Sequence, residues 1–329
     1  MAQLHTRRDV IASAAALGAG LALPSLSLAQ AAYPDKSKSI RAIVPFSAGS
    51  TVDALARVYA QQMGEALGTT IIIDNRAGAE STIGIQAIKQ LPADGYTILF
   101  SSISTQLVNP QLFKQLSYDP FKDFEPLGGT MRTPLIMMAG PKFPFKTVRE
   151  FVTAARAAPE KYTYASISST TRLSGAIFAG GAGIKLLNVP YKDFSGLIAD
   201  VLENRVDVVF LDGAGLKPNI PLGMRGLGVA AKVRSASFPD VPTLEQEGVP
   251  IEIIGYHSAY VRAGTPAAAL AALRDALRKA EGTKAVRDFI ASTGNEVMNL
   301  NGEAFGNWER GEVDKWAKAA KDAGLAGTL

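Results

Sequence analysis

Two loops in this chain have the residue types to hold an anion by hydrogen bonding. Pro45-Phe46-Ser47-Ala48-Gly49-Ser50-Thr51-Val52-Asp53 is small and hydroxyl-rich. It lies between an apolar run, Ile40 to Val44, and a segment of helical spacing with Leu55, Val58 and Tyr59 on one side. The loop must then sit at the carboxyl end of a strand, where open α/β sheets present ligand sites. The helix starting there offers unpaired N–H groups and a positive dipole end, so a carboxylate or phosphate is the expected ligand. Ser50-x-x-Asp53 also fits a capping box that needs no ligand, and both readings stand at this point. The loop lacks the Lys and glycine spacing of a P-loop and the G-x-G-x-x-G of a dinucleotide fold, which argues against nucleotides.

The second loop, Ser166-Ile167-Ser168-Ser169-Thr170-Thr171-Arg172, follows a strand-like run at Tyr162 to Ala165 and carries five hydroxyls in seven residues, the last of which is an arginine. Hydroxyls and a guanidinium suit a carboxylate, although such a run can also be a solvated loop. It occupies the strand-to-helix position that residues 45 to 53 occupy earlier, so two helix starts facing each other would grip an anion from both sides. The expected ligand contacts are Phe46, Ser47, Ala48, Gly49, Ser50, Thr51 and Asp53 in the first loop, and Tyr164, Ser166, Ser168, Ser169, Thr170, Thr171 and Arg172 around the second. Ser102 and Thr105 follow a third strand and add hydroxyls; Asp193 and Asp212 also follow strands and either take a ligand's ammonium or hydroxyl or, as is commoner for carboxylates near an anion site, serve the fold. Asp74 to Gly84 forms another strand-loop-helix unit that could face the same cleft; it also fits a turn with an N-cap in which Asn75 and Arg76 brace neighbouring loops.

Other chemistries are narrowed by composition. Cysteine is absent, which removes disulfides, thiolate catalysis and a lipid-anchored cysteine. Of the two histidines, His5 lies in a leader, so His257 alone remains for the mature chain. A multi-histidine metal site is excluded, and Ser-His-Asp catalysis would rest on that one imidazole without a G-x-S-x-G elbow. His257 is expected to be structural or ligand-lining. No cofactor, metal or catalytic residue is expected.

The leader is Thr6-Arg7-Arg8-Asp9-Val10-Ile11-Ala12 followed by an Ala- and Leu-rich run to Leu28, which reads as a twin-arginine export signal. Ala29-Gln30-Ala31 is a small-x-small cleavage site, so the mature chain is expected to start near Ala32 in the periplasm. Removing residues 1–31 takes away Arg7, Arg8 and Asp9 and lowers the formal charge from +4 to +3. That excess, without a basic-aromatic run, gives no case for nucleic acid.

Strand and helix patterns alternate from Ile71 to Phe210, which means mainly parallel sheets covered by helices; helical patterns then dominate from Pro266 to Ala323 around one short strand at Glu296 to Asn299. Gly- and Pro-rich stretches at Gly140 to Pro144 and Ala263 to Pro266 are the candidate boundaries. The expected organisation is a signal at 1–31, a first lobe of 32–139 plus 262–329, and a second lobe of 140–261, with a ligand cleft between lobes that closes by hinge motion.

With these pieces in order, the chain resembles the tripartite tricarboxylate transporter receptor family, also called the Bug family of solute-binding proteins. The resemblance rests on Ile43-Val44-Pro45-Phe46 through Asp53, Asn75-Arg76-x-Gly78, Pro92-x-Asp94-Gly95-Tyr96-Thr97, and Tyr118-Asp119-Pro120-x-Lys122-Asp123-Phe124. It continues through Val189-Pro190-Tyr191-Lys192, Asp240-Val241-Pro242-Thr243 and Ala263-Gly264-Thr265-Pro266. It implies a two-lobed periplasmic binding fold, type II-like, without catalysis. The implied ligand is a small organic carboxylate: a di- or tricarboxylate, an acidic amino acid or an aromatic acid. Backbone N–H groups, hydroxyls and bridging waters would hold it, and a monomeric receptor would hand it to membrane permease subunits. A sensor feeding a signalling kinase, and a periplasmic hydrolase or lyase, are the alternatives. The family's second loop usually runs Ser-Ala-Gly-x-Gly-Ser-x-Ser-His-Leu; here Tyr164 replaces the first serine, both glycines are lost and Arg172 stands for the histidine. Side-chain hydroxyls are expected to replace bare backbone as donors.

Overall fold

A computed structural model describes residues 33–329; the twin-arginine segment and its cleavage site fall outside the described residues. The chain forms two sheets flanked by helices. The first sheet begins with β1 (Ile40–Val44), β2 (Ile71–Asn75) and β3 (Thr97–Ser102), with β1 central and parallel to both neighbours. β1 is buried at every residue except Arg41, which explains its unbroken apolar run. Crossover helices α1 (Thr51–Leu67) and α2 (Thr82–Lys89) connect these strands, and α1 ends on Gly68 in the left-handed conformation that a C-terminal cap favours. After β3 a π turn, Ser104–Val108, runs into the short α3 (Asn109–Leu112) and then β4 (Phe124–Pro134).

The second sheet takes β5 (Ile136–Ala139), β6 (Thr163–Ser166), β7 (Leu187–Pro190), β8 (Val208–Leu211) and β9 (Arg225–Val229), in the order β7-β6-β8-β5-β9. Its helices are α4 (Val148–Ala157), α5 (Ser169–Ala182), α6 (Phe194–Leu202) and the single turn α7 (Gly213–Leu216). The chain then returns through β10 (Ile254–Arg262), α8 (Ala267–Gly282), α9 (Lys284–Ser292), β11 (Glu296–Val297), α10 (Gly302–Gly311) and α11 (Val313–Asp322). The completed first sheet reads β11-β4-β10-β3-β1-β2.

The two-lobed α/β architecture is the expected one, but both sheets are mixed. Only β2-β1-β3 and β7-β6-β8 are parallel; β10 and β4 run antiparallel in the first sheet, as β5 does in the second. β11 and β9 also pair antiparallel, with β4 and β5, but β4, β5 and β10 are the strands that carry the chain between lobes. β4 leads directly into β5 with only Leu135 between them, so the first change of sheet precedes the Gly140 to Pro144 boundary read from sequence. β10 already belongs to the first sheet, ahead of Ala263 to Pro266. The two crossings are knitted by main-chain bonds: Leu135 N–H donates to Ile253 O (3.1 Å), Ile253 N–H to Ala230 O (2.9 Å), and Ala230 N–H to Leu135 O (2.8 Å). The C-terminal segment is not confined to the first lobe either, because α11 packs on both the π turn and α5. Its Trp316 and Ala320 join the same core cluster as Phe178 of α5.

Candidate functional site

At the start of α1, Ser50 is the N-cap and its hydroxyl accepts the Asp53 N–H at 3.3 Å. Asp53 is buried and turned into its own loop. Its carboxylate accepts from Gly49 N–H (2.9 Å), Asn75 Nδ2 (3.0 Å) and Arg57 Nε (3.1 Å). Burial opposes its charge, but Arg57, the Gly49 N–H and Asn75 together outweigh that and hold the carboxyl below its usual range. Asp53 therefore fixes the turn, and with Ala48 and Gly49 it stands off the cavity wall. Phe46, Ser47, Ser50, Thr51 and Val52 form part of that wall. The N–H groups of Thr51 and Val52 are in the first turn of α1 and have no intrahelical acceptor.

α5 begins differently. Ser168 and Thr171 form a capping box, and Thr171 Oγ1 accepts both Ile167 N–H (2.9 Å) and Ser168 N–H (3.0 Å). Thr170 and Ser104 share a hydroxyl–hydroxyl bond of 2.7 Å between the lobes, and the Ser169 hydroxyl reaches Ser104 O at 3.4 Å. Ile167, Ser168, Thr170 and Thr171 line the cavity, whereas Ser166 and Ser169 are buried beneath it. Tyr164 lies under the helix against Gly175, where a Cβ would come within 2.2 Å of its ring. Arg172 is also off the wall; burial pushes the Glu80 carboxyl up while the charge of Arg172 pulls it down. Asp193, exposed, caps α6 through Gly196 N–H at 2.7 Å and does not reach the cavity. Thr105 is likewise held away by a bond to Ser101, while Ser102 is on the wall.

The cavity has a volume of about 320 Å³, at the small end for a small-molecule site. Asp212, the N-cap of α7, closes one side. It accepts the Thr51 hydroxyl at 2.8 Å across the cleft and Gly215 N–H at 3.2 Å, with His257 Nε2 3.8 Å from its other oxygen. Several wall residues were not among the sequence-derived contacts. His257, expected to be structural or ligand-lining, is on the wall and lies inside β10 opposite Ser102 and Met131. Residues Ala77 to Ser81 form a rim whose backbone is left-handed at Gly78 (φ 125°), Ala79 (46°), Glu80 (51°) and Ser81 (72°). Such angles strain non-glycine residues and cluster at ligand clamps. The sequence placed this loop among those that could face the cleft, without assigning a ligand contact to any of its residues. Pro190, Tyr191, Lys192 and Phe194 complete the second-lobe wall; the Pro190-Tyr191-Lys192 part was visible as a motif but without a role.

Most of this wall is carbon: Pro45, Phe46, Val52, Ile103, Leu135, Ile167, Phe194, Leu211 and Tyr256 all contribute. Its ionisable side chains are Glu80, Asp212, His257 and Lys192, besides the tyrosines. No group of His, Cys, Asp and Glu among the described residues could hold a metal ion. His257 Nδ1 is buried without a hydrogen-bond partner among the described residues. The arrangement can desolvate a small molecule and offer helix-start N–H groups from both lobes.

The chain matches the tripartite tricarboxylate transporter family receptor over residues 55–325. It is 31% identical to a UPF0065 protein of Bordetella bronchiseptica over 261 residues, 79% of this chain and 78% of that protein. Among solved structures, it is similar to periplasmic binding protein BugD, with 27% identity, a TM-score of 0.84, and coverage of 89% of this chain and 99% of that one. It is equally similar in fold to R. palustris Rpa4515 with adipate, at 28% identity and a TM-score of 0.84, again covering 89% and 99% of the two chains.

Proposed function

The chain belongs to the tripartite tricarboxylate transporter receptor family, and from that premise we propose that it captures a small organic carboxylate between its lobes and delivers it to a tripartite-type membrane permease. The observation that carries the carboxylate reading is the meeting of the α1 and α5 N-terminal turns on one cavity. Each helix start is equivalent to about half a positive charge, and its N–H groups are fixed before the ligand arrives. A carboxylate can therefore be held without a guanidinium in the wall. Adipate in the R. palustris relative supports the ligand class. The twin-arginine segment supports export to the periplasm. The reading is of a binding protein without catalysis, resting on the family.

Thermal unfolding tests the reading, because a ligand that binds only the native state stabilises it by mass action. At a hundredfold excess over Kd the gain is about 2.7 kcal/mol, a rise of roughly 5 °C for a protein this size. Mono-, di- and tricarboxylates, amino acids and aromatic acids form the panel. At least one should raise Tm by that amount and be recovered unaltered after long incubation. A flat response across the panel, or appearance of a product, would overturn the proposal.

A further inference from the structure

The start of α1 already faces a carboxylate. Thr51 is the first residue of the helix, and its hydroxyl donates to Asp212 Oδ1 at 2.8 Å from the opposite lobe. Asp212 is only 6% exposed, and its nearest cationic candidate is His257, at 3.8 Å beyond hydrogen-bonding reach. Glu80, the other acid of the wall, is stabilised in its charged form by Arg172; among the described residues Asp212 has neither a Lys nor an Arg within ion-pair distance. A ligand carboxylate brought to α1 would share a poorly hydrated space with Asp212, and two carboxylates in one site repel until one takes a proton. The start of α5 has no acid on it: Ser168, Thr170 and Thr171 form that part of the wall. An ionised carboxylate has about four acceptor positions, and Asp212 spends its described bonds on Thr51 and Gly215 through Oδ1. Oδ2 is left able to accept. Phe46, Val52, Ile167 and Leu211 add apolar wall suited to a hydrocarbon body.

We propose that Asp212 is a specificity-determining residue that makes the cavity prefer a monocarboxylate carrying a hydrogen-bond donor, a hydroxyl or an ammonium, on an apolar body, over a dicarboxylate of the same length. This rests on the carboxylate-receptor reading above and sharpens it. The ligand's carboxylate goes to the α5 start and its donor to Asp212 Oδ2.

Titration calorimetry on the full chain with hexanoate, adipate, 6-hydroxyhexanoate and 6-aminohexanoate tests it at matched length. The wild type should bind at least one donor-bearing acid about tenfold or more tightly than adipate, and the stronger of the two identifies the donor. Asp212→Asn keeps an N-cap acceptor for α7, so thermal unfolding should stay near that of the wild type. In that variant adipate should gain about tenfold, while hexanoate, which has no second polar end, should change little. Adipate binding the wild type as tightly as both donor-bearing acids overturns the proposal whether or not the variant folds. So does a folded Asp212→Asn protein with an unchanged order of affinities. Silence from all four acids, combined with a flat carboxylate thermal panel, instead removes the receptor reading and the proposal with it.

Discussion

The two helix starts that meet in the cavity look alike in sequence and work differently. The α5 start is the richer in hydroxyls, yet Thr171 serves two backbone N–H groups and Thr170 is tied to Ser104 across the lobes. The α1 start has fewer polar side chains, and its bracing acid, Asp53, faces away from the cleft. Hydroxyl count is thus a poor measure of what a ligand can reach. A buried hydroxyl is first claimed by the orphan N–H groups of its own helix, since leaving those unpaired costs more than a ligand bond returns.

The strongest way to break this contrast is Thr171→Val, which keeps the shape and removes the acceptor of two N–H groups. Stability should fall by about 2–4 kcal/mol in urea unfolding. A loss below about 0.5 kcal/mol accompanied by weaker ligand binding would return that hydroxyl to the ligand. Next comes Asp53→Asn. The folded pKa of Asp53 is depressed, so its charge contributes fully above the unfolded value of about 3.9 and the contribution is lost as pH falls through the lower folded value. The wild type should exceed the variant by roughly 1–2 kcal/mol at pH 7. That gap should close at acid pH; a gap that stays constant down to full protonation would mean the carboxylate charge is not what braces the loop.

Ser50→Ala removes the N-cap acceptor and should cost about 1 kcal/mol of stability. With the first-turn N–H groups still in place, calorimetric affinity should change less than threefold. The smallest effect is expected from Arg172→Ala, where affinity for the best panel acid should stay within about twofold because Arg172 is not part of the cavity wall. A tenfold loss would bring that side chain into the site and make the two helix starts equivalent after all.

Both helix starts were legible in the sequence because an apolar run, a small polar loop and a 3.6-residue period leave few alternatives. The partners of the hydroxyls were not, since Thr170–Ser104 and Thr51–Asp212 join residues far apart in the chain. β4 was missed for another reason. Its Gly128-Gly129 reads as a strand breaker, yet a Cβ at Gly128 would come within 2.3 Å of Asn301 Oδ1 and one at Gly129 within 2.5 Å of Met298 Cγ. The glycines admit close neighbours to a central strand. The left-handed run from Gly78 to Ser81 left almost no trace either, because alanine and glutamate do not announce a positive φ.

The triangle of bonds joining Leu135, Ala230 and Ile253 is made wholly of main-chain atoms. No side chain is needed to make it, so substitutions that preserve the backbone path leave the joint intact. The cavity wall is made of side chains and helix starts, and can be rewritten piece by piece around that joint. Changes to the wall are in this way separable from the connection between the lobes, so one architecture can vary its cavity without altering its joint.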